Sequence, residues 1–133
     1  MGTRSLTYVM EGEKKVACLY RQLDGYISVH GFELAEFLTT TTLVNGLPPG
    51  KPFKLANGMG CLAGQIVARF KTRPGDFYLI PTEGKQLCGQ EYEYWVHHDR
   101  VEVFKTICAE DIERKVIFNG TWDNFHAFTL KSE

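Results

Sequence analysis

The chain is 133 residues long, 44% hydrophobic and 23% charged, the proportions of one globular domain, residues 1–133, large enough to bury a core without staples. Its 15 basic and 16 acidic residues leave a formal charge of −1, which argues against the basic face that a polymeric nucleic acid requires. No apolar run reaches the length of a membrane span, and the opening residues lack the apolar core of a signal peptide. The expected location is therefore the cytoplasm, with Cys18, Cys61, Cys88 and Cys108 as reduced thiols.

Taken in chain order, Leu6, Thr7, Tyr8, Val9 and Met10 are β-prone, as are residues 16–21. The polar turn at residues 11–15 makes the two a hairpin, and Asp24-Gly25 ends it. Phe32, Leu34, Ala35, Phe37 and Leu38, with Glu33 and Glu36 between them, predict a short amphipathic helix over residues 31–38. Ser28 is its expected N-cap, and the threonines at 39–42 end it, since β-branched residues in a row are poor helix formers. Asn45-Gly46 and Pro48-Pro49-Gly50 mark a long loop.

Asn57 opens the strongest predicted helix, with Met59, Leu62, Ala63, Ile66, Val67 and Phe70 at spacings of three and four. Arg69, Lys71 and Arg73 suit the negative end of its dipole, and Pro74-Gly75 stops it. Residues 77–80 predict a short buried strand. Tyr92, Tyr94 and Val96 alternate with Glu91, Glu93 and Trp95. Val101, Val103 and Phe104 follow a turn at His98-Asp99, which predicts a second hairpin. A last strand is expected over residues 114–118, and residues 122–130 fit either a short helix or a strand. The fold class that follows is α+β: a largely antiparallel sheet built from hairpins, with two or three helices packed on one face.

Several familiar motifs fail. Gly46-Leu47-Pro48-Pro49-Gly50-Lys51 has the wrong spacing for a phosphate loop, and its prolines donate no N–H. His97 and His98 are strand neighbours that point to opposite faces, so they read as a polar hairpin tip rather than a metal pair. No two cysteines make a Cys-x-x-Cys pair. No metal and no cofactor are expected. Glu91 and Glu93 read as a solvated strand face.

Two constellations carry more. Antiparallel pairing brings the start of one strand beside the end of the next, so Thr3, Arg4 and Ser5 are expected beside Arg21 and Gln22, with Asp24, Tyr26 and His30 directly after. Two guanidinium groups there suit phosphate or carboxylate, and an aromatic ring suits a base or sugar. The second is the glycine-rich turn Asn57, Gly58, Met59, Gly60 and Cys61. A helix that starts there exposes backbone donors and places Cys61 either as an activated thiol or as a small buried residue.

The blocks Met1-Gly2-Thr3-Arg4-Ser5-Leu6-Thr7, Tyr20-Arg21-Gln22-x-Asp24-Gly25-Tyr26, His30-Gly31-x-Glu33-Leu34, Asn57-Gly58-Met59-Gly60-Cys61-Leu62-Ala63 and Cys88-Gly89-x-Glu91-Tyr92-x-Tyr94 together resemble a family of small proteins of unassigned activity. Its members occur in bacteria, phages and some large viruses and open on this signature. Ile27, Ser28 and Val29 stand where family members often carry Pro and Gly, and Leu87 where they often carry Asp. The resemblance implies a role in host–virus conflict. The expected function is to bind and sequester a small anionic, nucleotide-derived signal, such as a cyclic nucleotide or an ADP-ribose derivative. Arg4, Arg21 and the turn at residues 57–61 would hold phosphates, and Tyr26 and His30 the base or sugar. A small hydrolase or phosphodiesterase, with His30 as acid/base and Asp24 orienting it, is the first alternative. The second is an inhibitor of another protein, using Trp95 or Trp122 as an exposed aromatic anchor. Hairpin edges lead to the expectation of a homo-oligomer.

Overall fold

The computed structural model describes residues 2–46 and 54–132. The proline-glycine part of the predicted long loop, with the failed phosphate-loop motif, lies largely outside the described residues, as does Met1. Strands β1 (Ser5–Glu11) and β2 (Lys14–Arg21) form the expected hairpin, with Ser5 opposite Arg21 and Glu11 opposite Lys14. The turn is tighter than the polar run suggested, because Gly12 takes a left-handed φ of 60° and both lysines pair within the ladder. One turn of π-helix, Ile27–Gly31, leads into α1 (Phe32–Thr39). Ser28 lies inside that turn and caps nothing, which corrects the expected N-cap.

Short strands β3 (Thr42–Val44) and β4 (Leu55–Asn57) pair in parallel, a two-stranded sheet not anticipated where a threonine run and a long loop were read. Helix α2 (Gly58–Phe70) follows as predicted and buries Met59, Leu62, Ala63, Ile66 and Phe70. Strand β5 (Phe77–Ile80) then pairs with β2 at one edge of the main sheet. It is not buried as expected. An edge strand has a neighbour on one side alone, and Tyr78 and Leu79 are exposed.

The chain crosses to β6 (Tyr92–Val96), which lies parallel to β1, and turns back through β7 (Val101–Cys108) and β8 (Ile112–Gly120) as an antiparallel meander. The six-stranded order is β5-β2-β1-β6-β7-β8, and every pairing except β1 with β6 is antiparallel. Residues 122–130 resolve to a helix, α3 (Trp122–Leu130), because Thr121 caps it through a bond from the Asn124 N–H. The result is the expected single α+β domain with a mainly antiparallel sheet. Among the described residues no helix is long and apolar enough to cross a membrane.

The main core lies between the sheet and the three helices. Val9, Leu19, Tyr94, Val96, Val101 and Val103 meet Leu34, Leu38, Leu62, Ile66 and Phe125 there. The opposite sheet face has its own small cluster, Leu6, Tyr8, Met10 and Cys18. Burial pushes the Cys18 thiol up to about 12. At its centre Glu93 is fully buried, not solvated as predicted for a strand carboxylate. Arg114 Nε donates to it at 2.7 Å, Gln90 Nε2 at 2.9 Å and the Trp95 indole at 2.9 Å. Central strands are covered on both faces, so period-two alternation there does not separate solvent from core. Trp95 on this face and Trp122 on the helix side are partly covered, and their indoles are committed to Glu93 and the His97 carbonyl. His97 is itself buried and bonded to Glu102 at 2.7 Å, and only His98 remains at the polar tip.

Replacing Glu93 by Ala leaves the buried Gln90 amide, the half-buried Trp95 indole and the more exposed Arg114 guanidinium without this acceptor. The expected loss is about 3 kcal/mol of folding stability, read as a lower urea midpoint. A loss below about 0.5 kcal/mol would show that water replaces the carboxylate without penalty.

Candidate functional site

Arg21 ends β2 on the helix-facing side, directly opposite Phe77 of β5. Its guanidinium lies 4.7 Å from the Phe77 ring centroid and is buried. Nη1 donates to Glu33 Oε1 at 2.8 Å and to His30 Nδ1 at 3.2 Å. His30 is fully buried, with its ring 4.9 Å from Phe70 and 5.0 Å from Tyr94. Its Nε2 meets Thr7 Oγ1 at 2.7 Å.

The donor inventory settles the tautomer. A guanidinium only donates, so Nδ1 must accept, and the ring proton sits on Nε2 and goes to Thr7. Burial, and then the adjacent Arg21 charge, lower the His30 pKa from 6.5 to about 3. The imidazole is neutral at physiological pH. The Nε–Nη2 edge of Arg21 is different. Nε is buried with no partner, and Nη2 donates to nothing among the described residues. That edge is the one a guanidinium uses to grip a carboxylate or phosphate with two parallel bonds.

Arg21 lines a cavity of about 210 Å³ together with Glu33, Arg69, Thr72, Arg73 and Asp76. Glu33 and Arg69 also line a second cavity of about 320 Å³, over Ser28, Val29 and Phe32. Arg69 and Glu36 continue from there into a third, of about 590 Å³, between α1 and α2. The three adjoin along one cleft with Arg69 at the junction. Within the cleft Arg21 is paired with Glu33, Arg73 with Asp76 at 3.8 Å, and Glu36 with His126 at 2.7 Å. Arg69 has no ion-pair partner among the described residues.

The residues singled out in the sequence divide. Arg21 and His30 do meet, but His30 lies beneath Arg21 with no surface of its own, which removes the expected contact with a base or sugar. Ser5 sits opposite Arg21 as expected. It is fully buried, and Gly25 packs so closely on it that a Cβ there would lie 2.8 Å from the Ser5 Cβ. Arg4 turns away and donates to the Cys88 carbonyl at 3.2 Å. Thr3 accepts from the Gly25 N–H, and Gln22 donates its N–H to the Asp76 carbonyl. Asp24 is exposed at a left-handed φ of 61°, and Tyr26 is exposed, with the carbonyl of Gly25 between them held by the Tyr94 hydroxyl.

The turn at residues 57–61 lies elsewhere. The C-terminal end of α2 borders Arg21, and a helix rising about 1.5 Å per residue puts Gly58 roughly 18 Å from Phe70. Asn57 accepts from the Gly46 N–H at 2.6 Å rather than capping the helix, and Gly58 takes φ 82°. Met59 is core, and Cys61 is exposed and bonded to Gln65. The two constellations therefore do not form one site. Arg69, Arg73 and Glu33 were missed as site residues, although the cation run at residues 69–73 was visible and was read as a dipole complement.

Because His30 binds a proton less readily folded than unfolded, the unfolded state carries more protons between pH 6.5 and about 3. Stability therefore falls as pH drops through that window. The expected contribution is a slope of about 1.4 kcal/mol per pH unit from about pH 6 to about pH 4. In His30→Gln the slope should be shallower by that amount, measured by urea denaturation across the pH range; an unchanged slope would show that the imidazole is charged when folded.

Set beside known proteins, the chain matches no family model, no curated protein and no solved structure, so a functional reading rests on the chemistry of its own residues.

Proposed function

We propose that the chain binds a small phosphate-bearing molecule, of the kind a nucleotide-derived signal is, and holds it in the cleft between α1 and the C-terminal end of α2. The observation that carries this reading is Arg21. A buried guanidinium with its Nε–Nη2 edge unpartnered lines a cavity shared with Arg69 and Arg73. An unmet buried donor costs about 1–3 kcal/mol, and an oxyanion in the cavity is placed to meet this edge through Nη2, which donates to nothing among the described residues.

The supporting arrangement is electrostatic. Three guanidinium groups face two carboxylates in the smallest cavity, an excess of one positive charge where an anion would sit. Phe77 and the neutral His30 fix Arg21 in place, so little side-chain freedom is lost on binding. Thr72 adds a hydroxyl. Such a site needs donors and positive charge rather than a proton-transferring group, which fits sequestration of the ligand intact.

Thermal unfolding in the presence of nucleotides and cyclic dinucleotides tests the reading. A ligand at a hundred times its Kd should stabilise the fold by about 2.7 kcal/mol, a rise of several degrees in Tm. Arg69→Ala and Arg73→Ala should each weaken binding by about 10-fold or more, since charge-assisted bonds are worth about 1.5–3 kcal/mol, while leaving the unliganded Tm nearly unchanged. The absence of a shift with every phosphate compound overturns the proposal.

A further inference from the structure

We infer that the wide end of the same cleft is a nucleoside subsite, so that the ligand is a nucleoside phosphate rather than free phosphate or a sugar phosphate alone. The inference rests on the proposed anion site and adds the chemistry of the other end.

The cavity there measures about 590 Å³, within the range of sites that enclose a small organic molecule. Its walls come from two helices. Phe37 of α1 supplies an aromatic ring, and Ala68 of α2 supplies a methyl group facing the same space. Around this apolar floor stand polar groups with unused capacity. Thr40 and Thr41 both donate their hydroxyl protons back to the last carbonyls of α1, at 3.0 Å and 2.8 Å from the Phe37 oxygen. Their oxygens are therefore left as acceptors. The Gln65 Nε2 gives one proton to the Leu55 carbonyl at 2.9 Å and keeps a second, and its Oε1 takes only a Cys61 thiol at 3.7 Å.

An aromatic wall rimmed by hydroxyl acceptors and an amide suits a planar ring with polar edges joined to a hydroxylated sugar. Lys54, Arg69 and Glu36 also line this cavity, so its preference for a nucleoside over a bare anion rests on Phe37 and on the free capacity of Thr40, Thr41 and Gln65. Arg69 joins the two ends, since it lines this cavity and the one containing Arg21 and Arg73. A ligand that spans them would place phosphate at Arg21, Arg69 and Arg73 and its ring beside Phe37 and Gln65.

Isothermal titration of the full chain with ADP, GDP, CDP, UDP and inorganic pyrophosphate reads both ends at once. At least one nucleoside diphosphate is expected to bind 10-fold or more tightly than pyrophosphate. Ala68→Trp occupies the floor from an exposed helix position, and it should weaken that nucleotide by 10-fold or more while leaving pyrophosphate within about twofold. Gln65→Ala should act in the same direction without adding bulk. Equal affinity for pyrophosphate and all four nucleotides, or a nucleotide affinity untouched by both substitutions, overturns the subsite and leaves the anion site standing. Binding of none of the five compounds overturns both.

Discussion

A buried cation with a single carboxylate partner organises this end of the molecule. Arg21 reaches from the last position of β2 into the space between sheet and helices, where a charge survives only if it is paired and hydrogen-bonded. Glu33 supplies the pair from α1, and His30 supplies an acceptor from the preceding π-turn. Because His30 also donates to Thr7 of β1, the chain Glu33–Arg21–His30–Thr7 ties two strands, the π-turn and the first helix together. Its members have no freedom to exchange roles. The guanidinium must donate, so the imidazole must be neutral, and the carboxylate must face the helix-side mouth of the cavity.

That chain also explains why a cleft exists there at all. Phe70 and Phe77 pack on the same histidine and on each other, at 5.3 Å between ring centroids. They hold the end of α2 and the edge strand β5 against Arg21, while α1 leans instead on α3 through Leu34, Phe125 and the Glu36–His126 contact. Between those anchors a cavity remains, lined by Glu36 of α1, Thr41 just past its end, and Gln65 and Arg69 of α2. Glu93 plays the corresponding part on the far face, where one buried carboxylate gathers Arg114, Gln90 and Trp95 and closes the second cluster without a helix. Each sheet face is thus centred on an ion pair with one buried member, Arg21 on one side and Glu93 on the other, and at the first the buried member is the cation, with Nε and Nη2 unpartnered among the described residues.

What the sequence by itself determined is local. Its periodicities located the β1–β2 hairpin, α1, α2 and the β6–β7 hairpin, because hydrophobic spacing and turn residues act within a few positions of themselves. It also placed Arg21 beside Ser5 and close to His30, since hairpin register follows from strand ends. Tertiary structure decided the rest. The parallel meeting of β1 with β6, the burial of Glu93 and the exposed edge at β5 depend on which strands become neighbours, and no residue near them in the chain records that. The cleft is of the same kind. Arg69 and Arg73 stand about fifty residues after Arg21 in the chain, and residues 58–61 lie in the same helix as Arg69 but at its opposite end. A sequence shows which groups are available, whereas a pocket requires knowing which ends of which elements face one another, and the packing of Phe70 and Phe77 on His30 makes that choice.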